Sequence, residues 1–247
     1  MKKTAILFVL FSICATIMQA QGTWIKFSLE NGYKRLPNIE QPTALANRIS
    51  VQQTTQFTNN FSLAVLRISP SQRLWEMSLS GVIQPKIDVY SAYQDSVSSS
   101  TLGKMSSIDL GLTMEYGFNI GPVCDPSKNR NAFFMSVFMN PVYQQFRFSN
   151  PIRSIDFDQS FQQMGINLGI SPRIIYRENR RFIFDCSLKL PLLRYQYEIR
   201  DYKNPALTEQ QQTTKTFDFS MFDGMMLRLG IGWRPKKAKA PVDQGIK

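Results

Sequence analysis

Hydrophobic and polar residues alternate strictly in one stretch of the chain, residues 106–121, which reads SSIDLGLTMEYGFNIG. Large apolar or aromatic residues occupy the even positions from Ile108 to Ile120, and polar residues or glycines occupy the odd positions between them. Successive side chains of a β-strand point to opposite faces of the sheet. The stretch therefore predicts a strand with one apolar face and one polar face.

The same two-residue period recurs along the chain and predicts eight strands, near residues 22–31, 59–69, 73–88, 105–120, 131–148, 160–177, 180–198 and 221–234. Strands in globular proteins are typically about five or six residues long, whereas a tilted strand needs about nine to eleven residues to cross a bilayer. Most of the predicted strands reach that length. The links between them are expected to be short at 69–72, 121–130 and 178–179, and mostly longer at 32–58, 89–104, 149–159 and 199–220.

Residues 45–57 are also strand-like, so a count of ten strands stays open. This segment either extends a hairpin within a loop or is the true first strand, which would leave residues 22–31 outside the barrel.

The polar face of the predicted strands carries many glycines and isolated charges. Glycine weakens a solvent-facing strand, but it suits a narrow interior in which bulky neighbours must fit. The apolar face carries large aromatic residues near the strand ends, as do the interfacial girdles of outer membrane barrels: Trp75, Tyr116, Phe118, Tyr176, Phe182 and Trp233. We therefore expect inverted packing, with the apolar face toward lipid and the polar face lining the inside.

The N-terminus has the order of charged, apolar and small residues that is typical of a secretory signal peptide. Lys2 and Lys3 precede an apolar run that is short for a membrane-spanning helix, and Ala20 precedes Gln21. An uncleaved membrane anchor is the alternative. We expect a cleaved signal peptide at 1–20, an all-β, single antiparallel up-and-down transmembrane β-barrel of about eight strands at 21–234, and a basic, disordered periplasmic tail at 235–247.

With these features in view, the chain resembles a small Gram-negative outer-membrane β-barrel over nearly all of residues 22–234. The pieces PLLRYQYEIRDYKNPALTEQQQ and LRLGIGWR are similar to those of porin-like barrel families with no assigned activity. The resemblance implies a monomer in the bacterial outer membrane that contacts outer-membrane lipid and lipopolysaccharide. It also implies recognition by the barrel-assembly machinery, which usually reads a terminal aromatic residue. Here the chain continues beyond Trp233, so the implied assembly signal is internal and comprises Leu229, Gly230 and Trp233.

Composition limits the chemistry that the chain can carry. The sequence contains no histidine, which excludes Ser-His-Asp and Cys-His catalysis and histidine-ligated zinc. Once the signal peptide is removed, only Cys124 and Cys186 remain, too few for a thiolate metal cage. Small barrels of this type that are enzymes typically rely on a histidine. We therefore expect no enzyme, no cofactor and no metal site.

The formal net charge of +11 suits contact with anionic lipid or sugar. A partner nucleic acid is not expected for an exported chain, and any external partner is unknown from the sequence.

Inward-facing charges form the candidate functional group, which we expect to be a polar network in the lumen: Glu76, Asp109, Glu115, Arg173, Asp185, Lys189 and Arg228. The interior of an eight-stranded barrel is only wide enough for its own side chains. Opposite charges there are expected to pair, because an unpaired buried charge is costly. A packed polar core is the favoured interpretation, and a narrow pore or gating network is the alternative.

The sequence thus favours an outer-membrane barrel with a structural, interaction or porin-like role and no catalysis. The alternative is a secreted or periplasmic soluble β-barrel that binds a hydrophobic ligand inside. The two hypotheses differ in whether the even positions of 108–120 face outward or inward.

Overall fold

The computed structural model describes residues 23–35, 39–41, 49–51, 55–91, 100–121, 130–149, 158–179, 181–222 and 224–234. The strands are β1 (Thr23–Arg35), β2 (Ile39–Gln41), β3 (Ile49–Val51), β4 (Thr55–Ile68), β5 (Arg73–Ser91), β6 (Ser100–Asn119), β7 (Asn131–Ser149), β8 (Gln159–Arg177), β9 (Phe182–Tyr202), β10 (Thr213–Met221) and β11 (Met226–Trp233), with one short helix, α1 (Glu209–Gln212), before β10. None of the helical residues in these ranges forms a helix with the length and hydropathy needed to cross a membrane. The expected signal peptide, the expected tail and Cys124 lie outside the described residues.

The long strands form a closed antiparallel ring in the order β1, β4, β5, β6, β7, β8 and β9, and the ring returns to β1 through β11. β10 and β11 share one place in the wall, because both pair with β9, one after the other along its length. Between them, Phe222 and Gly224 have positive φ values of 55° and 93°. The prediction of an up-and-down barrel with 8 strands in the ring is confirmed.

The faces of the wall are inverted relative to a soluble barrel, as the alternation predicts. In the 106–121 stretch, Leu110 is 48% exposed, whereas Glu115 is 2% exposed. On the neighbouring strand, Val137 is 55% exposed and the adjacent Ser136 is fully buried. Large apolar side chains therefore cover the exterior, and small or charged side chains turn inward.

The connections define two ends of the barrel. At the turn end lie the Ser69–Gln72 turn, residues 120–121 and 130, and residues 178–179 and 181. At the loop end lie the opposite ends of the long strands, residue 158 and the described residues 203–212.

The strands extend further at the loop end than the alternation predicts. β9 continues to Tyr202, and all of β10 except its last residue lies in the stretch 199–220 that was expected to be a link. A register shift changes the phase of β9, because Gly169 pairs with Pro191 whereas Leu168 pairs with Leu193. The inward positions therefore change from odd to even residue numbers after Pro191, although β9 remains paired with β8 on both sides of the shift.

Residues 45–57 add no wall strand in the described ranges. Residues 55–57 belong to β4, and β3 pairs with β2 in a separate two-stranded sheet. The loop-hairpin interpretation is therefore the correct one, and β1 is the first strand of the ring.

Replacing Gly169 by alanine is expected to lower the free energy of unfolding by about 1–3 kcal/mol, the usual cost of overpacking. An added Cβ would overlap the carbonyl oxygen of Leu190 and lie 2.7 Å from ring atom Cζ of Phe138. Urea unfolding from lipid vesicles measures the loss. Gly81→Ala is the control, because its Cβ would come no closer than 3.3 Å to Leu110. Equal stability of the two variants would contradict the close approach.

Candidate functional site

Six charged side chains meet inside the barrel near the turn end, and we name them the charge cluster: Lys26, Glu76, Glu115, Arg173, Asp185 and Arg228. They come from β1, β5, β6, β8, β9 and β11, so they link six strands of the wall. Each occupies an inward position of its strand, and each is between 0% and 3% exposed. The cluster is therefore sealed from solvent.

Glu76 is the centre of the charge cluster. It accepts hydrogen bonds from Lys26 Nζ at 2.7 Å and from Arg173 Nη2 at 2.5 Å. Its other oxygen accepts a bond from Arg228 Nη1 at 2.9 Å. Arg173 also binds Asp185 in a bidentate manner, with two contacts of 2.7 Å. This fork geometry is the strong form of the arginine–carboxylate pair.

Glu115 completes the charge cluster on the far side of the two arginines. It accepts bonds from Arg228 Nη2 at 2.7 Å and from Arg173 Nη1 at 3.3 Å. Three cations thus face three carboxylates, and the cluster is neutral as a whole. Buried charges are tolerated only when they are paired and hydrogen-bonded, so the cluster cross-links opposite walls without a net buried charge.

The structure brings together most of the predicted network and adds two residues to it. Lys189 donates to Glu30 at 2.7 Å, in a buried pair separate from the charge cluster. Asp109 lies toward the loop end, where it accepts two bonds from Gln144, at 3.0 and 3.1 Å. Lys26 and Glu30 were missing from the predicted network, although the alternation of β1 places both on its polar face.

The lumen is less uniformly polar than the sequence predicts. Buried apolar residues fill its turn end, and we name them the turn-end plug: Trp24, Leu66, Ile68, Leu74, Ala132, Phe134, Ile175 and Ile183. The plug lies directly below the charge cluster, because Trp24 precedes Lys26 by two positions on β1. A second group of buried apolar residues lines the inside toward the loop end: Met105, Phe146, Phe148 and Phe161.

Two arginines cover the plug at the mouth of the barrel. The guanidinium groups of Arg177 and Arg234 lie 5.2 and 5.6 Å from the centre of the Trp24 ring. Contacts of this type are favourable cation–π interactions. The two arginines therefore stabilise the plug in addition to its packing against the strands.

The residues of the implied assembly signal lie on β11, the strand that closes the ring between β1 and β9. Leu229 and Trp233 face outward and are exposed, whereas Gly230 faces inward and is buried. Recognition of this strand by assembly machinery stays a prediction.

The arrangement favours a cross-link over a reactive site. Within the described ranges, no group of three or more histidine, cysteine, aspartate or glutamate residues is placed to hold a metal ion. Each carboxylate of the charge cluster accepts hydrogen bonds from at least two cations. Cys186 has a free thiol, which lies on the exterior.

A closed antiparallel ring with an apolar exterior and a packed, charged interior is the fold of the small outer membrane β-barrels. Among solved structures, the chain is similar to the outer membrane protein OprG from Pseudomonas aeruginosa, with a TM-score of 0.53 and 14% identity over 86% of this chain and 95% of that one. Weaker likenesses include Neisserial surface protein A (TM-score 0.39, 7% identity, 87% and 97% covered) and the outer membrane protease OmpT from Escherichia coli (TM-score 0.44, 7% identity, 85% and 91% covered).

The likeness to OprG establishes the fold alone, and the two weaker likenesses add nothing to it. No protein-family model and no curated protein sequence matches the chain.

Proposed function

We propose that the protein is a non-catalytic barrel of the bacterial outer membrane with a structural or interaction role and a lumen that does not conduct. The observation that carries this proposal is the combination of an apolar exterior with a lumen closed by the turn-end plug and the charge cluster. A barrel built in this way anchors a chain in a bilayer and presents its loop end to the outside.

The exterior supports the membrane location. Phe27, Leu79 and Ile231 lie on different strands and are 56–61% exposed, as expected of side chains that contact lipid. Single-chain bacterial barrels place short turns in the periplasm and longer loops outside. The turn end therefore faces the periplasm, and the loop end meets lipopolysaccharide. The closed ring needs no second copy of the chain to complete its hydrogen bonding, which favours a monomer. In this proposal, β11 is the strand that the assembly machinery recognises.

The packed interior favours a structural role over a porin-like one. An eight-stranded barrel has an interior that its own side chains can fill. Here apolar residues fill the turn end and ion pairs fill the layer above it, so water and ions have no continuous path.

The absence of catalysis is proposed from composition. The chain contains no histidine, and the carboxylates of the charge cluster are held by cations in a layer sealed from solvent. The likeness to a protease concerns the fold and brings no catalytic residue to this chain.

The soluble alternative, a barrel that binds a hydrophobic ligand inside, needs the opposite packing. Such a barrel lines its cavity with apolar side chains and exposes charge. Here Leu110 and Val137 point outward and Glu115 points inward, which favours the membrane barrel.

Two measurements test the proposed function. We expect the purified protein to need detergent and to change its gel mobility between unheated and boiled samples, because a lipid-facing barrel stays folded in detergent until it is heated. In planar bilayers we expect no discrete conductance steps. Solubility without detergent would overturn the membrane location, and regular steps from the purified protein would overturn the closed lumen.

A further inference from the structure

The rim of the turn end is strongly basic. It carries six arginines in the described ranges: Arg67, Arg73, Arg130, Arg177, Arg181 and Arg234. The only described acidic residue on this rim is Glu178. At the loop end the exposed charges of the described residues nearly balance: Lys104, Arg147, Lys203 and Lys215 against Asp201, Glu209 and Asp218. The two ends of the barrel therefore differ in charge.

Two of these arginines stand on the lipid-facing side of the wall. Arg67 and Arg73 flank the turn between β4 and β5, and both are exposed. Arg67 pairs with Trp75 across the ladder, and Arg73 pairs with Phe118. Both aromatic partners face outward, at the edge of the apolar exterior. Aromatic side chains of this kind mark the level of the lipid head groups, so the two guanidinium groups lie where phosphates lie.

Neither of these two guanidinium groups is neutralised within the described part of the chain. No hydrogen bond or ion pair joins the side chain of Arg67 or Arg73 to another described residue. Arg130 differs, because its guanidinium lies 3.7 Å from the carboxylate of Glu178. A pair of exposed cations without a partner among the described residues is available to an external anion.

We propose that Arg67 and Arg73 form a binding site for the anionic phospholipid head groups of the periplasmic leaflet. This inference rests on the proposed function, because it requires the turn end to lie in a bilayer. A guanidinium group donates two parallel hydrogen bonds to one phosphate, which suits it to this ligand. The outward direction of both side chains favours lipid over cell-wall polymer, which approaches the barrel along its axis.

The chain carries its own reporter for this site. Of its three tryptophans, Trp24 is inside the plug, whereas Trp75 and Trp233 face outward. Trp233→Phe leaves Trp75, the ladder partner of Arg67, as the lipid-facing tryptophan. Quenching of its fluorescence by brominated phosphatidylglycerol, relative to brominated phosphatidylcholine, gives the relative affinity of the site for the anionic lipid.

Each cation near an anionic surface favours the anionic lipid by about five-fold. We therefore expect phosphatidylglycerol to be preferred at Trp75 by about five-fold to 30-fold in low salt, and less at high salt. Adding Arg67→Gln and Arg73→Gln to the reporter variant should bring the preference close to one. Adding Lys104→Gln and Arg147→Gln to the reporter variant instead removes two outward cations from the loop end. This change should leave the lipid preference at Trp75 unchanged.

Several outcomes would overturn the proposal. A preference near one in the reporter variant, or an equal preference after the two arginine substitutions, removes the lipid site while leaving the membrane location intact. Absence of quenching by either lipid removes the membrane location as well. Cosedimentation with purified cell-wall sacculi that depends on Arg67 and Arg73, without lipid preference, would assign the rim to the cell wall instead.

Discussion

Arg228→Met is expected to lower the free energy of unfolding by about 3–5 kcal/mol, the cost of removing one partner from a buried ion pair. Arg228 is fully buried and donates to Glu76 at 2.9 Å and to Glu115 at 2.7 Å. Its loss leaves the charge cluster with one more carboxylate than cations in a sealed layer. Methionine fills similar volume, so the charge is the main change.

Urea unfolding from lipid vesicles measures this loss, with Lys104→Met as the control because Lys104 is an exposed cation at the loop end. A surface change of that kind is expected to stay within about 0.5 kcal/mol. Adding Glu115→Gln to Arg228→Met removes the surplus carboxylate, so the double variant should recover part of the loss. If Arg228→Met were as stable as the control, the cluster would be solvated, and the closed lumen would be wrong.

The alternation predicts which side chains of the charge cluster point inward, but not which of them meet. A period of two residues is local, so it assigns Glu76, Glu115, Arg173, Asp185 and Arg228 to the inside of the wall without any knowledge of the fold. Which of them meet depends on strand tilt and stagger around the ring, and alternation along one strand does not encode these. Asp109 shares the inward face of its strand with Glu115 but lies too far toward the loop end to join the cluster.

The turn-end plug was missed for a related reason. β7 carries large apolar residues on both faces near the turn end, where Phe133 points outward and Phe134 points inward. A strand of that composition has no polar face to mark its inside. The inner face of β7 at this end is defined by tertiary packing, because Phe134 packs in one buried cluster with Ile175 and Ile183 of other strands.

β10 was missed although its sequence carried a signal. Phe217, Phe219 and Met221 alternate with polar residues, and all three are exposed on the outer face. The long polar link expected at 199–220 concealed this short alternation. Pairing with β9 supplies the rest of the explanation, since Phe217 lies opposite Tyr197 and packs on its ring at 4.6 Å.

Val137→Arg tests whether the apolar exterior of this barrel faces lipid or water, because the cost of an exposed arginine depends on what surrounds it. Val137 is an outward residue near the middle of the apolar exterior. An arginine at the midplane of the bilayer costs about 2–4 kcal/mol, and one near the interface about 0–1 kcal/mol. Gln145→Arg is the matched control, since Gln145 lies on the same face of β7 near the loop end.

We expect Val137→Arg to lower the free energy of unfolding from vesicles by about 2–4 kcal/mol and Gln145→Arg by no more than about 1 kcal/mol. If this barrel were surrounded by water, it would tolerate both changes within about 0.5 kcal/mol, because neither side chain lies in a packed core. Equal small effects at the two positions would therefore mean that the apolar exterior does not face lipid. A loss that depends on depth has no source other than a low-dielectric layer around Val137, and it would tie the inverted packing of the wall to the membrane.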